Sequence, residues 1–485
     1  MPILAALKPQ PFWSHFEKLC SIPHPSKHEE LIGRYLADFG RSLKLETILD
    51  DVGNVVIRKP ASKGMEDRAW VCLQAHMDMV PQKDAGVRHD FLKDPIRPRV
   101  DGNFVRATGT TLGADNGTGV AAILAVLESK DLAHGPLEAL ITVNEEAGMT
   151  GAKGLKPGVL RSKMLLNLDS ESDEELCVGC AGAMDTSVRL EAPEKDLPAG
   201  FAAFRVRLHG LRGGHSGIDI HLGRGNSNVL LARLLWEAAQ EMDLRVASFE
   251  GGDLRNVIPR ESRAVVAVAS GKVRRFTRLI EALGGILRAE FSTTDPDVAV
   301  EVSPVEAPGK ALGRGDGRRL LGAVFSAPNA VSYMSADMPG LTETSSNLAA
   351  VKLGGGEMTV VSLQRSAVDT RKHEVARRLK AHFELAGGEV ECVDGYSGWK
   401  PDPKSPLLKL MVDVYRPVFG KDPKVNATHG GLECGILMGK YPQLDAVSIG
   451  ANLHHPHSPD EHVEIDSVGR FWDYLVEVLK RVPKA

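Results

Sequence analysis

The chain has 485 residues, of which 43% are hydrophobic, and a formal net charge of −4. A single hydrophobic core stops growing near ~250–300 residues, so more than one domain is expected. The small net charge gives no electrostatic reason to expect binding to nucleic acid or to an anionic membrane. No run approaches the ~18 apolar residues of a membrane span, and the N-terminus has no signal-peptide pattern. We therefore expect a cytoplasmic protein.

Up to about residue 183, helical and strand patterns alternate. The predicted helices lie at residues 12–20, 27–43 and 116–127. The predicted strands lie at residues 54–58, 70–74, 137–143 and 164–167. Helical patterns at 405–419 and 467–482 resume the alternation after about residue 393. This rhythm is typical of an α/β domain with a parallel-rich sheet.

The middle of the chain has a different pattern. Strand patterns lie at residues 204–208, 263–268, 341–352 and 358–364, and the first two alternate in polarity. Long helical patterns lie at residues 226–241, 273–291 and 367–385. The glycine-rich stretch 308–317 predicts a connector. We therefore expect an inserted α+β domain at 185–392, long enough for two subdomains, within a discontinuous catalytic domain at 1–184 plus 393–485.

Potential metal ligands follow several of the predicted strands or begin a predicted helix. They are His76 and Asp78, Asp115, Glu145 and Glu146, Asp169, and His457. The carboxyl ends of parallel strands share one edge of a sheet, so these side chains are expected to lie close together. Two histidines with several carboxylates could hold a pair of hydrolytic metal ions.

Each of these residues alone has a simpler explanation. An aspartate at a helix start is usually an N-cap, a Glu-Glu pair usually faces solvent, and a single histidine after a strand is seldom a ligand. The set as a whole favours a metal site, because otherwise every member would need its own explanation at a matching position.

The chain resembles the M20 family of metallopeptidases, and within it the bacterial dipeptidases. The stretches that carry the resemblance are residues 20–26, 74–83, 110–117, 145–149, 213–217, 430–435 and 456–461. The resemblance runs from about residue 10 to the C-terminus. It implies a two-domain α/β hydrolase with two metal ions and an inserted α+β lid domain.

The resemblance also implies a set of five ligands. His76 and Asp169 would bind one ion, Glu146 and His457 would bind the other, and Asp115 would bridge them. Zinc suits mixed imidazole and carboxylate ligands, although cobalt or manganese could also occupy the site.

Three histidines compete for the last ligand position. His454, His455 and His457 lie within four residues of one another. We assign His457, because it lies in the 456–461 stretch that matches the family. The other two are expected to be exposed loop residues.

Two further carboxylates are expected to serve the reaction. Asp78 and His76 flank one residue, so on an extended segment both side chains point the same way, and Asp78 can accept the imidazole N–H. Glu146 is taken up by a metal, which leaves Glu145 free as the general base. Glu145 would take a proton from the attacking water and deliver it to the leaving amine.

The resemblance implies substrate contacts outside the metal site. His215 would stabilise the tetrahedral oxyanion. Asn256 and Arg365 would hold the free carboxylate of the substrate. Gly431 would line the amine end, where Glu433 could pair with the substrate ammonium. Structural roles remain open for these residues.

The resulting hypothesis is a dipeptidase for substrates with free N- and C-termini, including carnosine-like Xaa-His dipeptides. An N-acyl-amino-acid deacylase of the same fold is the nearest alternative, and Glu433 favours the peptidase. A non-catalytic binding protein is the other alternative, but it would not need the complete ligand set. A monomer and a homodimer are both compatible with the sequence, and so is His215 acting within its own subunit or in a partner's site.

Overall fold

The computed structural model describes residues 3, 4 and 6–485. The chain forms two compact units. The first comprises the described residues up to Gly179 with Pro401–Ala427 and Leu432–Ala485, and the second comprises Cys180–Lys400 with Thr428–Gly431. The predicted insertion, 185–392, lies inside the second unit, and its role as a lid stays a prediction.

The helices of the first unit pack around its sheet. They are α1 (Gln10–Cys20), α2 (Glu30–Ser42), α3 (Ala114–Glu128), α4 (Thr150–Gly154), α9 (Pro406–Phe419), α10 (Glu433–Lys440) and α11 (Ile465–Arg481). The helices of the second unit are α5 (Ser227–Glu241), α6 (Val273–Glu290), α7 (Arg314–Ser326) and α8 (Asp369–Leu385). None of the helices in the described part of the chain combines the length and apolar character that a membrane crossing needs.

The strands also divide between the two units. Those that begin in the first unit are β1 (Glu46–Leu49), β2 (Val55–Lys59), β3 (Val71–His76), β4 (Arg99–Asp101), β5 (Phe104–Arg106), β6 (Leu137–Thr142), β7 (Met164–Asn167), β8 (Glu175–Cys180), β22 (Lys424–Thr428), β23 (Asp445–Ser448), β24 (Leu453–His454) and β25 (His462–Glu464). Those of the second unit are β9 (Gly182–Glu191), β10 (Glu194–Asp196), β11 (Phe201–His209), β12 (Gly214–His215), β13 (Leu244–Gly251), β14 (Val257–Ile258), β15 (Ser262–Ala269), β16 (Ala299–Val305), β17 (Lys310–Leu312), β18 (Ala330–Met334), β19 (Thr342–Gly354), β20 (Glu357–Ser366) and β21 (Gly388–Tyr396).

The first unit is built on an eight-stranded sheet with the order β1-β2-β6-β3-β7-β23-β8-β22. Its centre is parallel: β3 pairs with β6 and β7, and β7 pairs with β23. The three strands β3, β6 and β23 are almost wholly buried, as expected when helices cover both faces of a parallel sheet. The predicted α/β fold class is confirmed.

The second unit is built on an antiparallel nine-stranded sheet. Its order is β16-β11-β15-β13-β19-β20-β9-β21, with β18 also paired to β19. A single apolar core joins the sheet to its helices and includes Leu231, Phe249, Phe276, Leu320 and Phe383. Because β13 pairs with β19, the two halves of the insertion share one continuous sheet.

The prediction of a connector without regular structure at residues 308–317 is wrong. Within it, β17 pairs with β10, and α7 begins at Arg314. Its glycines suggested a loop, but Gly317 packs inside the helix, where a Cβ would lie 3.5 Å from Val246. Helix packing therefore outweighs the low helix propensity of glycine here.

Candidate functional site

The central strands of the first unit carry candidate ligands at their carboxyl ends. His76 ends β3 and is paired in register with Thr142 at the end of β6. Glu145 and Glu146 follow β6 after two residues, and Asp169 follows β7 after one residue. The parallel pairing thus places these side chains at one edge of the sheet, as the sequence predicted.

Asp115 lies in the turn that begins α3. Its φ and ψ of −86° and 107° are not helical, and Gly113 before it is left-handed, with φ of 72°. The backbone therefore changes direction at Asp115 instead of continuing the helix. The carboxylate stands apart from the helix, where it can face two sets of partners.

The two oxygens of the Asp115 carboxylate face different histidines. Oδ1 lies 3.1 Å from Nε2 of His76, and Oδ2 lies 3.3 Å from Nε2 of His457. The same nitrogen of His76 lies 3.4 Å from Oδ1 of Asp169. The nitrogen of His457 lies 2.8 Å from Oε1 of Glu146. Asp115 thus lies between a His76–Asp169 pair and a His457–Glu146 pair.

These separations suit metal coordination. Atoms bound at ~2.0–2.2 Å to one tetrahedral ion lie roughly 3.3–3.6 Å from each other, close to the 3.1–3.4 Å spacings of His76. Donor atoms of His76, Asp115 and Glu146 all lie within 4.8 Å of one another and form a candidate metal site. Imidazole nitrogens and carboxylate oxygens are also the donors that zinc and similar ions prefer.

The charges of the cluster are those of a cation site. Burial raises the pKa values of Glu146 and Asp169, and the neighbouring Asp115 charge raises them further. Hydrogen bonds to Asp115 and Glu146 raise the pKa of His457 to about 10. Burial raises the pKa of Glu145 well above its usual value. Buried carboxylates crowded in this way are stabilised when positive charge lies between them.

Asp78 contacts both His76 and the Glu145–Glu146 turn. Its backbone oxygen lies 3.1 Å and its Oδ1 3.3 Å from Nδ1 of His76. Its two carboxylate oxygens accept the backbone N–H groups of Glu145 and Glu146 at 2.9 and 3.2 Å. Ser26 donates its hydroxyl to the same carboxylate at 2.8 Å. Asp78 therefore orients more of the cluster than the imidazole alone.

His215 belongs to the second unit and lies on β12. Its ring nitrogen Nδ1 accepts the backbone N–H of Gly217 at 3.1 Å, and the backbone N–H of His215 donates to Oδ2 of Asp219 at 2.9 Å. Burial and the charge of Arg365 lower its pKa. The imidazole is therefore neutral, with its proton on Nε2, which leaves Nε2 as a hydrogen-bond donor.

Arg365 and Asn256 lie beside the His215 segment. Ser216, the next residue, donates its N–H to the backbone oxygen of Asn256 at 2.8 Å and accepts from Nε of Arg365 at 3.2 Å. Arg365 also donates to the hydroxyl of Tyr396 at 3.3 Å. The second unit thus brings together three residues that the sequence separates by up to 150 positions.

Gly431 has a packing reason to be glycine. A Cβ at this position would overlap the ring and hydroxyl of Tyr396. The sequence offered only the substrate-lining interpretation, which stays a prediction.

Glu433 has hydrogen-bond partners inside the protein. Glu433 is 0% exposed, and its Oε2 accepts hydrogen bonds of 2.6 Å from Gln74 and from Thr142. Gln74 in turn accepts from Asn167 at 2.5 Å. These four residues form a polar layer across β6, β3 and β7, and burial raises the pKa of Glu433 to about 7. Oε2 of Glu433 thus binds within the interior of the sheet, and a contact between Glu433 and a substrate ammonium stays a prediction.

Other residues around the centre were not singled out from the sequence. Asn116 donates from Nδ2 to Asp169, and Glu461 accepts from the Asp115 turn. Both lie inside stretches that carry the family resemblance, so that was the available signal. His454 and His455 are exposed, and His454 stacks on the ring of His462 at 4.9 Å.

The comparisons with known proteins agree with this architecture. The family model described as "Peptidase family M20/M25/M40" matches residues 72–481. The chain belongs to this family. Among its relatives, the cytosol non-specific dipeptidase of Escherichia coli (strain K12) is 45% identical over 483 residues, which covers 100% of both chains.

Solved structures of the M20 fold are similar over nearly the whole chain. The aminoacylhistidine dipeptidase of Vibrio alginolyticus has a TM-score of 0.94 and 43% identity, covering 99% of this chain and 98% of that one. The aminopeptidase PepT of Bacillus cereus has a TM-score of 0.58 at 16% identity, covering 98% and 99%. The second comparison shows the fold alone.

Proposed function

We propose that this M20 protein hydrolyses dipeptides that have free N- and C-termini, including Xaa-His dipeptides. The observation that carries the proposal is the Asp115 carboxylate, whose two oxygens face His76 and His457 at 3.1 and 3.3 Å. Full-length identity of 45% to a non-specific dipeptidase and of 43% to an aminoacylhistidine dipeptidase supports the substrate class.

The donor set supports two divalent ions, with zinc the best match and cobalt or manganese as alternatives. His76, Asp169, Glu146 and His457 would hold them in two pairs, and Asp115 would be shared. When bound, such ions acidify a water molecule and polarise the scissile carbonyl.

Glu145 is the proposed general base. It follows β6 beside Glu146, and Asp78 holds its backbone N–H at 2.9 Å. Its carboxylate would accept the proton of the attacking water and then donate that proton to the departing amine nitrogen.

Three further residues are proposed to make polar contacts with the substrate. The Nε2–H of His215 is a donor of the kind that stabilises an oxyanion. The Arg365 guanidinium, with Asn256 nearby, would bind the terminal carboxylate. The preference for a free amine rests on the relatives alone, because Glu433 lies in the polar layer of the sheet.

The test is hydrolysis of β-alanyl-histidine, Leu-Gly and N-acetyl-leucine by chelated protein, before and after zinc or manganese is added. We expect metal-restored cleavage of the dipeptides and no release of leucine from N-acetyl-leucine. Cleavage of the acylated substrate alone would make the protein a deacylase. No turnover with two metal ions bound would contradict enzymatic function.

A further inference from the structure

Glu461 is a buried carboxylate in the loop that carries His457. It is 2% exposed. Its Oε2 accepts the N–H groups of Leu112 and Gly113 at 2.7 and 3.0 Å. Its Oε1 accepts those of Ala114 and Asp115 at 2.7 and 3.2 Å. One side chain thus binds four consecutive backbone N–H groups, the last of which belongs to Asp115.

The position of Glu461 is itself fixed from two sides. Its own N–H donates to the backbone oxygen of Ser458 at 3.0 Å, in a turn directly after His457. The next residue, His462, begins β25 and is paired in register with Arg106 on β5. The chain that leaves β5 runs into the Asp115 turn, so β5 and β25 support both loops.

We propose that Glu461 is a positioning residue that fixes the Asp115 carboxylate relative to His457. This carboxylate can then face both the His76–Asp169 pair and the His457–Glu146 pair. The inference rests on the proposed function, in which Asp115 is the shared ligand. The four hydrogen bonds tie the backbone of Asp115 to the loop of His457, four residues away from Glu461. The spacing between the two ligands is then set before any ion binds.

The chemistry of the contact allows few substitutes. Four converging N–H groups require two oxygens that only accept, which a carboxylate provides. In glutamine, the side-chain NH2 group would face two of these backbone N–H groups and could not accept hydrogen bonds from them. Aspartate is one methylene shorter and cannot reach all four.

The experiment measures zinc affinity by competition with a chelating dye, at a temperature well below unfolding. The variants are Glu461→Gln and two controls. Glu464→Gln makes the same change three residues away, where the carboxylate accepts from Asn452. Leu475→Ala truncates a fully buried apolar side chain of α11, which lowers stability without removing a hydrogen bond or a charge.

We expect Glu461→Gln to weaken zinc binding roughly 10- to 100-fold and to lower kcat, while both controls bind zinc as the wild type does. If Glu461→Gln lowers only the melting temperature, as Leu475→Ala does, the glutamate serves folding and the inference is wrong. That result would leave the proposed function standing, provided that the wild-type protein cleaves dipeptides. If the wild-type protein binds zinc but cleaves no dipeptide, the proposed function is wrong, and the role of Glu461 in zinc binding is judged separately from the variants.

Hydrogen exchange of the wild-type protein gives a second test that needs no variant. The amides of residues 112–115 should be protected in the metal-free protein, because Glu461 already binds them. Free exchange that stops only when zinc is added would mean that the ion orders the turn, and would overturn the proposal.

Discussion

Oδ1 of Asp78 accepts the backbone N–H of Glu145 at 2.9 Å. The carboxylate next to His76 therefore also holds the residue proposed as general base. Glu146 donates its N–H to the other oxygen of Asp78. The orientations of the proposed ligand Glu146 and of the proposed base Glu145 therefore both depend on the Asp78 side chain.

Asp78→Asn is expected to lower kcat roughly 10- to 100-fold, as for other groups that orient metal ligands. Its amide nitrogen would face a backbone donor, so the Glu145–Glu146 turn would shift. KM should change little. Ser26→Ala, which removes one donor and keeps the Asp78 carboxylate, is the control for steady-state kinetics. Equal losses in the two variants would contradict this role.

Glu145→Gln is expected to lower kcat by about 10²–10⁴-fold, the usual contribution of a general base. Bound metal, measured by elemental analysis, should stay at the wild-type level. The matched variant Glu146→Gln should lose metal, because Glu146 faces His457 at 2.8 Å. Loss of metal from both variants would make both glutamates ligands.

Arg365→Met is expected to raise KM for Leu-Gly about 10- to 100-fold, since a hydrogen bond to a charged group contributes ~1.5–3 kcal/mol. KM for the C-terminal amide of Leu-Gly, which lacks the carboxylate, should stay near its wild-type value. Arg263→Met is the control, because Arg263 pairs with Glu250 at an exposed position. An equal rise for both substrates would exclude carboxylate recognition.

Glu433→Gln is expected to preserve both KM and stability. Its amide oxygen can still accept from Gln74 and Thr142, and a carboxyl with a pKa of about 7 is already half neutral near that pH. Glu433→Ala should destabilise the protein in urea by about 1–3 kcal/mol for each unpaired donor. A large rise in KM for Glu433→Gln, without loss of stability, would support the predicted contact between Glu433 and the substrate ammonium.

The stability of the protein should fall in acid partly through His429. Burial and the charge of Arg365 lower its pKa from 6.5 to about 3, and its Nε2 lies 2.7 Å from Oγ of Ser345. The unfolded chain therefore binds more protons between those values. This contribution is complete above pH 6.5 and is lost as the pH falls toward 3, by about 2 kcal/mol at pH 5.

The control for the pH effect is His429→Gln, which can keep the hydrogen bond to Ser345 and does not titrate. Its melting temperature should fall less than that of the wild type between pH 7.5 and 5. Parallel curves would show that His429 does not contribute to the acid sensitivity.

The main architecture could be predicted because strand order alone brings several sites together. Residues at or just beyond the carboxyl ends of neighbouring parallel strands, such as His76 and Asp169, must share a sheet edge. The interior was less accessible to prediction. Glu433 begins a helix after two glycines and a leucine, and nothing local says whether such a side chain points inward. The role of Glu461 depends on a loop almost 350 residues earlier, and α7 was hidden by its glycines.

The chain order of the proposed ligands has a consequence for biosynthesis. Strand β23 lies between β7 and β8, yet it is translated only after the whole second unit, and His457 follows it. A nascent chain therefore carries His76, Asp115, Glu146 and Asp169 for more than 200 residues without a completed central sheet or the last ligand. Peptide hydrolysis is therefore expected to begin only after the C-terminal segment with β23 and His457 has been synthesised and has joined the sheet.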